Sequence, residues 1–354
     1  MRRMTKIVDW ENLSLDNAVE YLKERDKTLF DKITDYNNIV SAFDLCVKNK
    51  KPADRPRYLK HRDKIINFMY DCMKNLTWQL NYGEPFTIQE KRKQREIICC
   101  SFKDRVGQQA VLNICESIFT KLMIQDSYQA QKGKGIHKAS LKIRKYVNEL
   151  QRNGDVYFLH LDIKKYYKNI NSNILIDILS KKIKCKKTIE LFKTMLKGDE
   201  KGRGQGVTLG NNISQWLGNL YLYDYDHYFS SIKGIRFLRY ADDMIFLSND
   251  KDLLQKIRKK AKGMIHSRKL KLSMDYIGKI TNGFCLDTLG FKFFLKYTQT
   301  RKDIKNNLSK AFRKKKAESM ASLMGHTIWA NSKKMLYNIT QKRVSKWQEH
   351  LRIS

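Results

Sequence analysis

Proline is scarce in this chain, with three residues in 354. No Gly/Ser-rich linker, low-complexity tract or internal repeat breaks it, so it reads as a continuous body of one large multi-lobed domain or two to three smaller units. No apolar run reaches the length that spans a bilayer. The opening MRRMTKIVDWENLS carries basic residues without the apolar segment of a secretory signal. The expectation is therefore a cytoplasmic protein with no membrane association. Its seven cysteines are an odd number with no CxxC pair, which argues against a disulfide framework and against a zinc ribbon. They read as reduced thiols used as small hydrophobes. The seven histidines are scattered, none at metal-ligand spacing.

Acid is the other shortage. Asp and Glu number 36 against 71 Lys and Arg, a net charge of +35. Self-repulsion of that size is tolerable where the usual partner is a polyanion. A membrane surface would call for one amphipathic basic helix, whereas here the charge is spread over the whole chain, so nucleic acid is the leading partner. Hydrophobic residues at 42% and aromatics at 11% still suffice for a sizeable core.

Residues 12–80 read as helical, from the periodic LDNAVEYLKERDKTLFDKI to a second pattern between Tyr58 and Leu80. The basic connector between them, VKNKKPADRPRYLKHRDK, reads equally as a solvated loop or a phosphate-contacting edge. FTIQEKRKQREIICCSF suggests two short strands around a charged turn. A helix follows, with Asp104 as its expected N-cap. The Gly/Lys loop in SYQAQKGKGIHKAS leads into another helix ending near Leu150. DVYFLHLDIKKYY is a strong strand ending at Asp162, with helical sequence after it to about Lys197. A polar loop with five glycines, GDEKGRGQGVTLGNNISQ, then enters an apolar helix, WLGNLYLYDYDHYF. GIRFLRYADDMIFLS reads as a β-hairpin turning at Ala241 and Asp242. A basic helix at about 251–268, short strands through LDTLGFKFFLKY and basic helices from about Lys302 complete the chain. This order predicts an α+β fold with an antiparallel sheet.

Two acids stand out, Asp162 at a strand end and Asp242 at a hairpin tip 80 residues later, with Asp243 beside it. Each alone reads more simply as a helix cap or an exposed turn. Neighbouring strands of one sheet could bring them together, however, and a buried carboxylate needs a partner or a metal. Converging carboxylates suit Mg²⁺, and two such ions can assist an in-line phosphoryl displacement.

YADD between apolar strand segments resembles the catalytic motif of reverse transcriptases, and LDIKKYYKNI resembles their first palm aspartate motif. QGVTLGNNISQWLGNLYL lies between them, as that family's next block would. The resemblance spans roughly 83–298 in the family's order. It implies a right-hand polymerase architecture: a helical basic N-terminal region at 1–82, fingers at 83–150, a palm with the catalytic aspartates at 151–298, and a helical basic thumb at 299–354. It also implies that Asp162 and Asp242 carry two Mg²⁺ ions, with the Ile163 carbonyl completing one and Asp243 supporting. Tyr167, five residues after Asp162, becomes the steric gate against a 2′-hydroxyl. Lys93 and Arg95 become the triphosphate grip; Arg92 stands where the family has proline, which leaves Lys91 as the alternative. In LDTLGFKFF, Leu289 and Gly290 match the primer grip, a stretch that an ordinary hydrophobic strand fits nearly as well.

LGNNISQ, ending Ser214-Gln215 where most of the family has Ser-Pro, is similar to the signature of diversity-generating retroelement reverse transcriptases. DSYQAQKGKGIHKAS and MGHTIWANSKKML resemble two further blocks of that subfamily. The implied activity is error-prone copying of a template RNA into cDNA, with errors at adenines. Gly210 would allow close approach of the nucleotide, and Leu209, Ser214 and Gln215 become the fidelity candidates. Implied partners are template RNA, primer and cDNA, dNTPs and an oligomer of a small basic accessory variability protein. The alternatives are a group II intron-like or defence-associated enzyme of ordinary fidelity, and a non-catalytic RNA-binding protein on a polymerase fold. No maturase or endonuclease segment is evident, which disfavours the intron type.

Overall fold

The computed structural model describes residues 28–81, 86–90, 93–97, 100–200, 207 and 212–340. Within them lie two compact units, one drawn from 1–118 and 176–204, the other from 119–175 and 205–354. The periodic stretch before residue 28 and the basic tail after residue 340 fall outside the described residues.

In the first unit, the helix Tyr36–Lys48 starts at Asp35, whose side chain accepts from the Asn37 N–H. Its buried face, Ile39, Ala42, Phe43 and Val47, follows helical spacing and packs against the helix Arg62–Lys74. The connector, read equally as a solvated loop or a phosphate-contacting edge, is partly helical, with a 3₁₀ turn at Pro52–Asp54 and a short helix at Arg55–Leu59. Both prolines sit at the start of their helical turns, where a missing N–H costs nothing. Two strands, β1 (Phe86–Glu90) and β2 (Lys93–Ile97), pair antiparallel as expected. The next helix, Phe102–Leu122, starts earlier than expected, and Asp104 is not its cap. Ser101 is: its Oγ accepts from the Asp104 N–H at 3.2 Å and donates to the Asp104 carboxylate at 2.6 Å. Asp104 is buried, and Trp78 Nε1 and the Asn81 N–H also donate to it, so its burial leaves no acceptor unmet.

The second unit is built on a four-stranded antiparallel sheet. Its strands are β3 (Val156–Ile163), β4 (Arg236–Tyr240), β5 (Asp243–Ser248) and β6 (Leu272–Ile280), in the order β4-β5-β3-β6. Central β3 is largely buried, with Leu159, Leu161 and Ile163 on one face and Val156 and Phe158 on the other ahead of His160 and Asp162. Val156, Phe158, Leu238, Ile245 and Leu247 share one core cluster with Ala139, Ile143 and Val147 of the helix Ile136–Leu150. The helix Lys251–Ser267, capped by Asp250, also packs on β3 and β5. A second small sheet, β7 (Leu286–Thr288), β8 (Phe291–Phe293) and β9 (Thr298–Thr300), joins that cluster through Leu286, Phe291 and Phe293. Helices Lys302–Arg313, Ala317–Thr327 and Lys333–Thr340 follow.

Two expectations are corrected here. β3 runs one residue past Asp162, and its pairing with β6 shifts between Asp162 and Ile163. The single apolar helix expected after the glycine loop is two, Asn212–Tyr221 and Tyr223–Ser230, broken at Leu222. Asp224 and Asp226 lie in the first turn of the second, where acids favour a helix start. The α+β class and the antiparallel sheet are as the sequence predicts.

Candidate active site

Asp162 lies near the C-terminal end of β3, directly opposite Asp243, the first residue of β5. In an antiparallel pair, residues facing each other put their side chains on one face. Asp162 and Asp243 are thus a pair of acids on that face, with His160, two positions before Asp162, on it too. His160 is buried on β3 and its Nε2 is 2.8 Å from Asp243 Oδ1. Asp162 has a different neighbour: Ser273 Oγ of β6 donates to its carboxylate.

Asp242 sits on the turn between β4 and β5. The residue before it, Ala241, has φ 55°, a left-handed conformation uncommon outside glycine. The same conformation recurs at Lys165 (φ 49°), between Asp162 and Tyr167, and at Ala130 (φ 60°). Backbone of this kind persists where the surroundings dictate it, and it gathers at functional sites.

What dictates the turn is a charge pair invisible to pattern reading. Arg239, in the middle of the sequence FLRYADD, is fully buried. Its Nε and Nη2 donate to both carboxylate oxygens of Asp226, at 2.6 and 2.5 Å. Nη1 donates to the Ala241 carbonyl at 2.9 Å and to Asn219 Oδ1 at 3.2 Å, and Nη2 to the Asn219 carbonyl at 3.1 Å. Burial works against the guanidinium's charge, yet the Asp226 carboxylate outweighs it and holds the Arg239 pKa above its ordinary value. Burial pushes the Asp226 carboxyl upward, with Arg239 opposing; the two-pronged bonding is that of an ionised pair. The Arg239 backbone is held as well, its N–H by the Asp126 carbonyl and its C=O by the Tyr128 N–H.

Tyr167 follows β3 on a short 3₁₀ turn, Tyr166–Asn169, and is buried. Its hydroxyl donates to Gln129 Oε1 at 2.8 Å. Burial chiefly, with the Asp242 carboxylate adding to it, pushes the phenol up to about 12. Gly218 lies against the ring: a Cβ there would stand 2.9 Å from Tyr167 Cε1.

Of the fidelity candidates, Ser214 is buried and Gln215 exposed in the first half of the helix Asn212–Tyr221; Leu209 lies outside the described residues, as does Gly210, expected at the nucleotide. Lys93 and Arg95 are on β2 of the first unit, opposite Glu90 and Ile88, and Lys91 lies outside the described residues. Sequence reading missed His160, Ser273, Gln129 and the Asn219–Asp226–Arg239 group. No sequence pattern singled out Arg239, which shares its strand with the exposed Arg236.

Among the described residues, no three His, Cys, Asp or Glu side chains stand close enough together to hold a metal ion. The candidate donors, three carboxylates and the Ile163 carbonyl, are all oxygen, the chemistry that suits a hard divalent cation. Among the described residues no helix is long and apolar enough to cross a membrane.

An antiparallel sheet that pairs an aspartate of its central strand with an acidic hairpin is the frame of a right-hand polymerase palm. Residues 88–293, more than half of the chain, match the family model described as Reverse transcriptase (RNA-dependent DNA polymerase), and the chain belongs to that family. Its members generally use divalent metal ions. The Group II intron-encoded protein LtrA of Lactococcus lactis subsp. cremoris, and the same protein of strain MG1363, are each 28% identical over 148 residues. Those matches cover 40% of this chain and 24% of the relatives, so the chain spans about a quarter of their length. Among solved structures, apo telomerase from Candida tropicalis has a TM-score of 0.47 at 13% identity, over 68% of this chain and 54% of that one. Telomerase from Candida albicans in complex with a fragment of telomeric RNA has a TM-score of 0.47 at 13% identity, over 76% and 56%.

Proposed function

We propose that this chain is an RNA-directed DNA polymerase of the diversity-generating retroelement type, making error-prone cDNA from a template RNA with substitutions at adenines. The observation that carries the polymerase reading is the pairing of Asp162 with Asp243 across β3 and β5, with Asp242 on the adjoining turn. Asp162, Asp242, Asp243 and the Ile163 carbonyl would hold two Mg²⁺ ions. When bound, these supply Lewis-acid activation of the primer 3′-hydroxyl and charge stabilisation on the departing pyrophosphate. The chain's own residues do the positioning. Tyr167 closes the space beside the sugar of the incoming dNTP. The Arg239–Asp226 pair keeps the turn that carries Asp242 in one conformation. No protein nucleophile is needed, because the primer hydroxyl attacks the α-phosphate directly.

The retroelement assignment rests on Ser214-Gln215 and on the two further blocks, with Leu209 and Gln215 loosening the geometric check opposite adenine. An accessory basic protein oligomer and a structured RNA complete the proposed assembly. A second reading, an intron-type enzyme of ordinary fidelity, is favoured by the 28% identity to LtrA.

Radiolabelled dNTP incorporation on a primed RNA template tests the polymerase: wild type incorporates, Asp242→Ala does not, and incorporation by neither would favour an RNA-binding module. Sequencing of the products separates the two enzyme readings. Errors concentrated opposite adenine, and reduced by Gln215→Pro, support the first. An even, low error rate that Gln215→Pro leaves unchanged supports the second.

A further inference from the structure

Gln129 stands outside every strand of the aspartate-bearing sheet, yet it fixes the ring that the function reading places beside the sugar. The Tyr167 hydroxyl ends on Gln129 Oε1. The ring's edge rests on Gly218, and the Tyr166 ring lies 5.3 Å away, its own hydroxyl held by the Gly218 carbonyl. The Tyr167 backbone is fixed too, its carbonyl accepting from the Val207 N–H at 2.8 Å. Gln129 is itself anchored, since its carbonyl accepts from Asn219 Nδ2 at 2.9 Å. The other side-chain atom of that amide, Asn219 Oδ1, accepts from Arg239. One buried asparagine therefore braces both the loop that holds Tyr167 and the arginine that holds the Ala241 carbonyl. Ala130, next to Gln129, takes a left-handed φ of 60°, so the loop is held in this shape against its local preference.

We propose that Gln129 is a positioning residue for sugar selection: it sets where the Tyr167 ring stands, and so how strongly a ribonucleotide is rejected. The inference rests on Tyr167 acting as the gate. A phenol tethered at its tip resists displacement by a 2′-hydroxyl; an untethered one gives way. The preference for dNTP over the matching NTP should then depend on a residue that acts only through Tyr167.

The test is single-nucleotide incorporation on an RNA template with a DNA primer, comparing kcat/KM for dNTP with kcat/KM for the matching NTP. Gln129→Ala and Tyr167→Phe should each lower that ratio about 3–10-fold, the range of one net hydrogen bond. The double variant should fall no further than either single one, and Gln129→Glu, which keeps an acceptor, should retain the wild-type ratio. Equal loss on both substrates in Gln129→Ala, with the ratio unmoved, would overturn the proposal and leave Gln129 a scaffold residue. Should Gln129→Ala fail to fold, an unchanged ratio in Tyr167→Phe overturns it as well. Tyr167→Ala separates the two levels. A ratio unaffected by Tyr167→Ala removes the gate reading itself, whereas a ratio lowered there but not in Gln129→Ala removes only this inference.

Discussion

Removing the Asp226 carboxylate should destabilise the sheet-bearing unit far more than an average substitution. The side chains of Arg239 and Asp226 are 0% and 2% exposed, so Asp226→Ala leaves a guanidinium buried with two donors unmatched. Breaking such a pair on one side costs about 3–5 kcal/mol. With about 2–4 °C per kcal/mol for a unit of this size, thermal unfolding should move down by about 6–20 °C. Urea unfolding followed by tryptophan fluorescence gives the same quantity, and Trp216, buried in this unit, is a reporter. Replacing both partners, Arg239→Met with Asp226→Leu, should recover most of the loss, because no charge is then left unpaired. The double variant should still polymerise poorly, since the Ala241 carbonyl has lost its donor. A melting temperature for Asp226→Ala within about 2 °C of wild type would refute the reasoning, because a solvated pair is worth about 0–1 kcal/mol.

Gly218→Ala should cost about 1–3 kcal/mol through overpacking, because its Cβ would meet Tyr167 Cε1 at 2.9 Å. Denaturant midpoints measure it, and the dNTP-to-NTP ratio should move with it. Asp275 gives an acid-dependent contribution. Burial alone would raise its carboxyl, but hydrogen bonds from Arg258 and Lys262 outweigh that and hold it below the ordinary 3.8. A depressed carboxyl stabilises the fold above its unfolded pKa, and the contribution is lost as pH falls through the folded value. Asp275→Asn should therefore flatten the loss of stability below about pH 4 in a pH series of urea midpoints. Template–primer affinity should fall linearly on a log–log plot against salt, as phosphate-backbone binding requires. A flat plot would contradict the use assigned to the +35 charge.

The strands and the acids were legible because their signals are local. Apolar runs of strand length, a hairpin turn at Ala241 and Asp242, and acids at strand ends can all be read along the chain. The sequence suggests that neighbouring strands bring Asp162 and Asp242 together; that Asp162 faces Asp243, with Asp242 on the turn, required the register of the sheet. Arg239 was not legible. Among 71 Lys and Arg it looks like one more solvated charge, and only Asp226, on a helix that breaks from its predecessor at Leu222, makes its burial affordable. Asp104 misleads for the opposite reason: it is a good capping residue near a helix start, but Ser101 three residues earlier is the cap. Gln129 was hidden because a loop glutamine carries no periodicity and its partner Tyr167 is remote in sequence.

The strand order β4-β5-β3-β6 also has a consequence for the newly made chain. His160 is separated by 83 residues from the aspartate it contacts, and Asp162 by 111 from the serine that donates to it. During synthesis from the N-terminus, β3 emerges long before either of the strands that flank it. It is rich in apolar side chains and unpaired along both edges until β5 and then β6 are complete, the situation in which nascent chains associate wrongly. Pairings so distant in sequence also form slowly. A ribosome pausing between residues 164 and 235 would lengthen that exposure, whereas a pause after β6 would be harmless to the sheet.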